Sequence, residues 1–162
     1  MADFNLAIGA TLEREGGAKL SDDPVDRGGA TKYGISQRAY PDLDIRNLTE
    51  DQAREIYKQD YWDRVRGDDI QSQPIAENIF DTAVNMGVRT ASRLAQQALD
   101  IDPADGIIGS QSLAVINQAD EKVFIAGYTL AKVARYADIC NRDQSQTRFL
   151  LGWINRALGG QA

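Results

Sequence analysis

A glutamate at the end of the first predicted helix is the residue best placed to do chemistry. It opens the run Glu15-Gly16-Gly17, and the loop that follows contains Asp22, Asp23 and Asp26. Two carboxyl groups can break a glycosidic bond, because one protonates the leaving oxygen while the other stabilises positive charge or positions water. A helix C-terminus carries partial negative charge, which disfavours an ionised carboxylate and suits a general acid. The residues alone leave open that Glu15 is a solvated helix end and that the aspartates only form turns.

The lack of histidine and the single cysteine restrict the kinds of catalysis that the chain can perform. The 162-residue chain contains no histidine and one cysteine, Cys140, which we interpret as a small core residue. Histidine-dependent nucleophiles, histidine metal sites and internal disulfides are therefore excluded. The aspartate-rich loop lacks the EF-hand register and no phosphate-binding glycine loop is present, so we predict neither a metal nor another cofactor. Carboxylates and hydroxyls must carry any proton transfer.

Charge and hydropathy limit the partners. The net charge of −6 argues against nucleic acid, because proteins that hold phosphate backbones are normally basic. No apolar run is long enough for a transmembrane helix, and the first residues lack the basic start of a signal peptide. We therefore expect synthesis in the cytoplasm, with a separate release route for any task outside it, and a monomer.

The apolar periodicity predicts a single, mainly α-helical domain over residues 1–162, with a small β-hairpin or loop region near the N-terminus. A Thr49–Gln52 capping box and Pro74 in a first turn mark two helix starts. Gly152 suggests two helices in close approach. Helices are predicted at about 3–14, from 49, from 74 to 86, at 91–99, from 110, at 120–140 and at 144–158, with the hairpin around 31–35.

Several segments together resemble glycoside hydrolase family 108, a bacterial and phage muramidase family of the lysozyme superfamily. The most specific block runs from Glu15-Gly16-Gly17 through Asp23-Pro24-x-Asp26 to Gly28-Gly29-Ala30-Thr31-x-Tyr33-Gly34-Ile35. The resemblance covers nearly the whole chain in order, continuing through 53–63, 79–87, 105–113 and 148–156. It implies a lysozyme-like fold.

The resemblance also implies roles for individual residues. Glu15 matches the catalytic glutamate and would be the general acid. Asp26 and Thr31 match the carboxylate and hydroxyl expected to hold the attacking water, with Asp23 as the rival carboxylate. Ala18 departs from the family, whose members often carry an aromatic residue just after Glu-Gly-Gly.

A saccharide groove is predicted to be lined by four further residues, Tyr33, Trp62, Asp81 and Asn85. Other aromatic residues lie at helical spacings and are predicted to be core: Tyr57, Tyr61, Phe80 and Trp153. Residues 1–90 would form the catalytic half, and 91–162 a helical half that resembles a peptidoglycan-binding region. The turn at 105–113 fits such a region or a simple connection between packed helices.

The implied activity is hydrolysis of the β-1,4 bond between N-acetylmuramic acid and N-acetylglucosamine in peptidoglycan, by a single displacement. A lytic transglycosylase or chitinase on a similar frame is one alternative, and a non-catalytic wall-binding or phage structural protein is another. The lack of a signal peptide fits a phage or prophage endolysin that waits for a holin, and equally a bacterial muramidase.

Overall fold

The computed structural model describes residues 1–22 and 29–159. Within these ranges a two-stranded antiparallel sheet, β1 (Thr31–Lys32) and β2 (Ile35–Ser36), accompanies seven α-helices. The helices are α1 (Phe4–Arg14), α2 (Glu50–Tyr57), α3 (Gln73–Met86), α4 (Val88–Ala98), α5 (Ser110–Gln118), α6 (Glu121–Arg142) and α7 (Thr147–Ala157). None of these described helices combines the length and apolar character needed to cross a membrane. The predicted fold class, mainly α with a small N-terminal hairpin, is confirmed.

Side-chain caps begin the helices where the sequence predicts them. Asp3 accepts a hydrogen bond from a first-turn N–H of α1. At the start of α2, Gln52 N donates to Thr49 Oγ1 at 3.3 Å and Thr49 N donates to Gln52 Oε1 at 2.9 Å, which completes the predicted capping box. Ser72 caps α3, with Pro74 in the first turn, where no intrahelical donor is required.

Helix α3 runs through the core. Its buried residues lie on several sides of the helix: Ile75, Ala76, Ile79, Phe80, Thr82 and Ala83. Phe80 meets Phe4 of α1 and Trp62 in edge-to-face pairs, with ring centroids 5.9 Å and 5.5 Å apart, and Phe4 and Trp62 are 5.6 Å apart. This geometry suits the quadrupoles of the three rings, so the cluster ties α1 to the centre of the molecule.

The segment after α2 departs from regular helix. It continues into a π-helical turn, Lys58–Trp62, and then into two 3₁₀ turns. The wider π turn changes the direction of the following side chains, and Trp62 points into the core. Its indole Nε1 donates to Asp68 Oδ1 at 2.6 Å, and Gly67 lies against the ring, where an added Cβ would come within 2.3 Å. The Trp62 ring therefore determines where Gly67 and Asp68 pack after the π-helical turn.

Helices α4 and α6 approach each other closely at Gly127. A Cβ added there would lie 3.4 Å from the carbonyl oxygen of Ala98, and the next residue, Tyr128, donates from Oη to Ala91 O at 3.2 Å. The prediction that Gly152 marks a close helix contact is wrong, since Gly152 is exposed and an added Cβ would meet nothing within 4 Å. Gly127 in α6 is the small residue that permits the close approach of α4 and α6.

A buried glutamine, Gln96 in α4, organises the loop between α4 and α5. Its Nε2 donates to Asp105 Oδ1 at 2.8 Å and to Ser112 Oγ at 3.1 Å, and its Oε1 accepts from Gly106 N at 2.8 Å. These bonds satisfy a buried polar side chain and fix the turn at Asp105. This loop is therefore a rigid connection between packed helices.

Candidate active site

Glu15 ends α1, and the two glycines after it turn the chain back. Its backbone N–H bonds to Thr11 O at 3.0 Å, while Gly16 and Gly17 take φ values of +92° and +56°. Glycine adopts this left-handed backbone without steric cost. Gly17 O then accepts a bond from Tyr33 N at 3.0 Å. The Gly-Gly turn thus returns the hairpin to the end of α1, beside Glu15.

The turn of the hairpin packs directly on the glutamate. Strands β1 and β2 are joined by Tyr33 and Gly34, with φ values of +53° and +74°, as in a two-residue turn with both central residues left-handed. A Cβ added to Gly34 would lie 2.8 Å from Glu15 Cβ and 2.7 Å from Tyr57 Oη. Only glycine fits this contact.

A guanidinium from the last helix reaches Glu15. Arg156 Nη2 lies 3.4 Å from Glu15 Oε1 and 3.1 Å from Asp81 Oδ1, and Arg14 Nη1 lies 2.8 Å from the same Asp81 oxygen. The Glu15 side chain is 26% exposed, so solvent can still reach it. In the described geometry, Arg156 therefore links the Glu15 carboxyl group to the Asp81 carboxylate.

Two tyrosines lie close to the glutamate. Burial and then the negative charge of Glu15 raise the pKa of Tyr57, while burial, Asp60 and Glu15 raise the pKa of Tyr61. Both phenols therefore stay protonated at neutral pH. Tyr57 Oη donates to Tyr33 O at 2.9 Å, which secures the hairpin turn. The surroundings of Glu15 consist of neutral phenols and one guanidinium.

The other predicted catalytic residues are only partly described. Asp26 and its rival Asp23 lie outside the described residues. Thr31 begins β1, is half-buried, and pairs through backbone bonds with Ser21 at 2.9 Å and 2.7 Å. Its Oγ1 lies 3.5 Å from Gly29 O, which is long for a hydrogen bond. The catalytic roles of all three residues stay predictions.

The prediction that Trp62 lines a saccharide groove is wrong. Its side chain is 0% exposed, because the π turn after α2 directs the ring into the aromatic cluster. Tyr33 is 8% exposed and presents little more than an edge. Asn85 is exposed, with Nδ2 3.5 Å from Tyr136 Oη, while Asp81 is engaged by arginines beside Glu15. Contacts of these residues with a sugar remain predictions.

An open groove of about 570 Å³ lies near Glu15, which is not itself one of the residues that line it. Tyr61 lines the groove and packs on Tyr57, with ring centroids 5.6 Å apart, and Tyr57 in turn meets Glu15 at the Gly34 turn. Tyr40 Oη donates to Asp60 Oδ2 at 2.5 Å across the groove wall. The complete lining is Ala39, Tyr40, Asp60, Tyr61, Arg64, Met86, Gly87, Val88, Arg89 and Thr90. Half-exposed aromatic and hydrogen-bonding side chains of this kind suit a polyhydroxylated ligand.

Sequence reasoning missed Arg156 and Tyr40 and assigned Tyr61 to the core. Arg156 is 141 positions from Glu15, so no local spacing could connect them. The only sequence signal was the segment 148–156, which contributed to the family resemblance. Among the residues that the structure describes, no three histidine, cysteine, aspartate or glutamate side chains cluster as metal ligands would.

The overall architecture matches a solved structure along nearly its whole length. Brucella abortus SagA has a TM-score of 0.70 and 27% sequence identity, over 96% of this chain and 94% of that chain. A helical domain in which a small hairpin folds back on a helix-end glutamate defines the lysozyme-like class of proteins.

Matches to two families cover almost the entire chain. Residues 8–87 match the family described as Glycosyl hydrolase 108, and residues 86–158 match the one described as Predicted Peptidoglycan domain. No curated protein sequence matches. Residues 8–87 thus match the glycosyl hydrolase 108 family, as the resemblance predicted, and this match supports a glycoside hydrolase.

We expect Arg156→Gln to lower kcat by about tenfold or more with little change in KM, because a catalytic group displaced by about 1 Å loses much of its rate advantage. Arg14→Gln is the matched control, since Arg14, like Arg156, pairs with Asp81 but has no described ion pair with Glu15. Arg156→Lys should recover part of kcat. Equal losses in the two glutamine variants would contradict a positioning role and indicate a structural one.

Proposed function

We propose that this protein is an N-acetylmuramidase that hydrolyses the β-1,4 bond between N-acetylmuramic acid and N-acetylglucosamine in peptidoglycan. The observation that carries this proposal is Glu15, held by Gly34 and Arg156 near an open groove that Tyr61 lines. The match of residues 86–158 to a peptidoglycan family supports the choice of polymer.

In the proposed reaction, Glu15 donates its proton to the glycosidic oxygen as the bond from that oxygen to C1 breaks. The positive charge that develops at C1 is met by a water molecule on the opposite face of the sugar. Asp26, with Asp23 as its rival, accepts a proton from this water, and Thr31 Oγ1 holds it in place. The water oxygen adds to C1, so the products are a new reducing end and a free hydroxyl.

The residues around Glu15 support the positioning of its carboxyl group. Tyr57 and Tyr61 stay protonated, while Arg156 contacts the Oε1 oxygen of the carboxyl group. No cofactor takes part in this proposal.

The biological setting we propose is host lysis by a phage or prophage endolysin, made in the cytoplasm and admitted to the wall by a holin.

The experiment that tests the proposal is mass spectrometry of fragments released from purified peptidoglycan. Hydrolysis yields muramic acid reducing ends, one water heavier than the anhydro ends of a lytic transglycosylase. A Glu15→Gln protein purified in parallel controls for contaminating hydrolases. Anhydro ends, or wall binding with no fragment release, would each overturn the muramidase assignment, and the second would indicate a binding protein.

A further inference from the structure

A second groove continues from the one beside Glu15. It has a volume of about 520 Å³, lies between α4 and α6, and is lined by Thr90, Arg93, Leu94, Gln97, Ala131, Ala134, Arg135 and Asp138. Thr90 lines both grooves, so they meet at this residue. We call the two adjoining grooves the channel; its second part lies on the C-terminal helices α4 and α6.

Four arginines lie along this channel: Arg64, Arg89, Arg93 and Arg135. We call them the arginine track. None of them is within salt-bridge distance of a carboxylate in residues 1–22 and 29–159. Arg89 and Arg93 each donate from Nε to a carbonyl of the loop after α4, at 3.4 Å and 3.2 Å. These bonds hold the side chains in place without neutralising their charge.

The acids in the channel are already engaged. Asp60 accepts the hydrogen bond from Tyr40, and Asp138 pairs with Arg142 at 2.8 Å. The channel is therefore locally cationic on a protein whose net charge is −6. A local positive surface on an acidic chain attracts an anionic partner that the rest of the surface repels.

We propose that the arginine track binds the carboxylates of the stem peptides that hang from the glycan strand. This inference rests on the proposed function. Peptidoglycan carries its negative charge on these peptides, and a guanidinium binds a carboxylate through two parallel hydrogen bonds. Arg89 and Arg93 are four residues apart on α4 and so share one face of the helix.

The two ends of the channel then contact different parts of the substrate. Tyr40 and Tyr61 in the first groove meet the sugar rings, while Arg93 and Arg135 in the second groove meet the peptide. The protein would thus prefer glycan that still carries peptides. Because exposed charge pairs are screened by salt, the preference should weaken as ionic strength rises.

The test compares binding of soluble glycan chains that carry peptides with binding of the same chains stripped by an amidase, which keep one lactyl carboxylate on each muramic acid but lose the carboxylates of the peptides. Glu15→Gln protein is used so that no cleavage occurs. The key variant is Arg135→Gln, because Arg135 lines only the second groove and has no described hydrogen bond that its loss would break. Lys122→Gln is the matched control, an equal charge change at an exposed residue of α6 outside the channel.

We expect Arg135→Gln to bind peptide-bearing chains about threefold more weakly, as for the loss of one exposed charge-assisted contact. Binding of stripped chains should not change, and Lys122→Gln should behave as the parent. Equal weakening on both kinds of chain, or no difference from Lys122→Gln, would overturn the proposal.

Failure of this inference is distinguishable from failure of the muramidase proposal. If protein with Glu15 intact cleaves stripped and peptide-bearing chains with equal efficiency, the function stands and the track is wrong. If it cleaves neither but the arginines still determine binding to peptide-bearing chains, the proposal for the arginine track stands and the muramidase proposal is wrong.

Discussion

Glu15→Gln is expected to reduce glycan cleavage by about 10²- to 10⁴-fold, the usual contribution of a general acid. Glutamine matches the shape of glutamate but has no proton to donate to the leaving oxygen. Its amide oxygen can still accept from Arg156, so the surrounding contacts should persist. The measurement is the initial rate of reducing-end formation from purified peptidoglycan, with binding recorded in parallel.

Glu13→Gln is the matched control for this variant. Glu13 lies two residues earlier in α1, is exposed, and makes no described ion pair, so the same substitution should leave the rate unchanged. Circular dichroism should show equal helix content in both proteins. A Glu15→Gln protein with a rate near that of the parent would falsify the role of Glu15 as the acid.

Gly34→Ala should impair both activity and stability. Alanine at φ +74° is strained, and its Cβ would press on Glu15 Cβ at 2.8 Å and on Tyr57 Oη at 2.7 Å. Moving the carboxyl group by about 1 Å is expected to cost on the order of 100-fold in rate. Backbone strain and overpacking should lower the free energy of unfolding by about 1–3 kcal/mol.

The control for Gly34→Ala is Gly9→Ala. Gly9 is an exposed helical residue of α1, and an added Cβ there would meet nothing within 4 Å. Alanine favours helix over glycine by up to about 1 kcal/mol, so this variant should be at least as stable as the parent and equally active. Thermal unfolding and cleavage rates are measured on both proteins to compare the stability and activity of Gly34→Ala with those of Gly9→Ala. A fully active Gly34→Ala protein would show that the turn does not position Glu15.

Local chemistry in the sequence predicted much of the fold. Caps at Asp3 and Thr49, proline in the first turn of α3, and the Gly-Gly turn after Glu15 each depend on residues a few positions apart. Propensity and pattern capture such features well, because the interacting groups are neighbours in the chain. The placement of Glu15 at the end of α1 followed from the same local signals.

The errors have physical causes that local patterns do not contain. Trp62 occupies a position where an exposed aromatic residue seemed suited to a sugar, but a π turn redirects its ring into the core. Gly152 suggested a close helix contact that Gly127 provides instead, because the contact depends on which face of α6 meets α4. Arg156 reaches Glu15 only through the packing of α7. All three depend on tertiary structure.

The contact between Arg156 and Glu15 has a consequence for how such proteins recombine. The match to the glycosyl hydrolase family ends at residue 87, yet the cation that holds the candidate acid lies near the far end of the other matched region. Exchanging residues 86–158 for those of a relative would therefore replace a component of the reaction centre together with the wall-recognition surface. A chimera is expected to keep the contact to Glu15 only if the incoming segment supplies a guanidinium at this position.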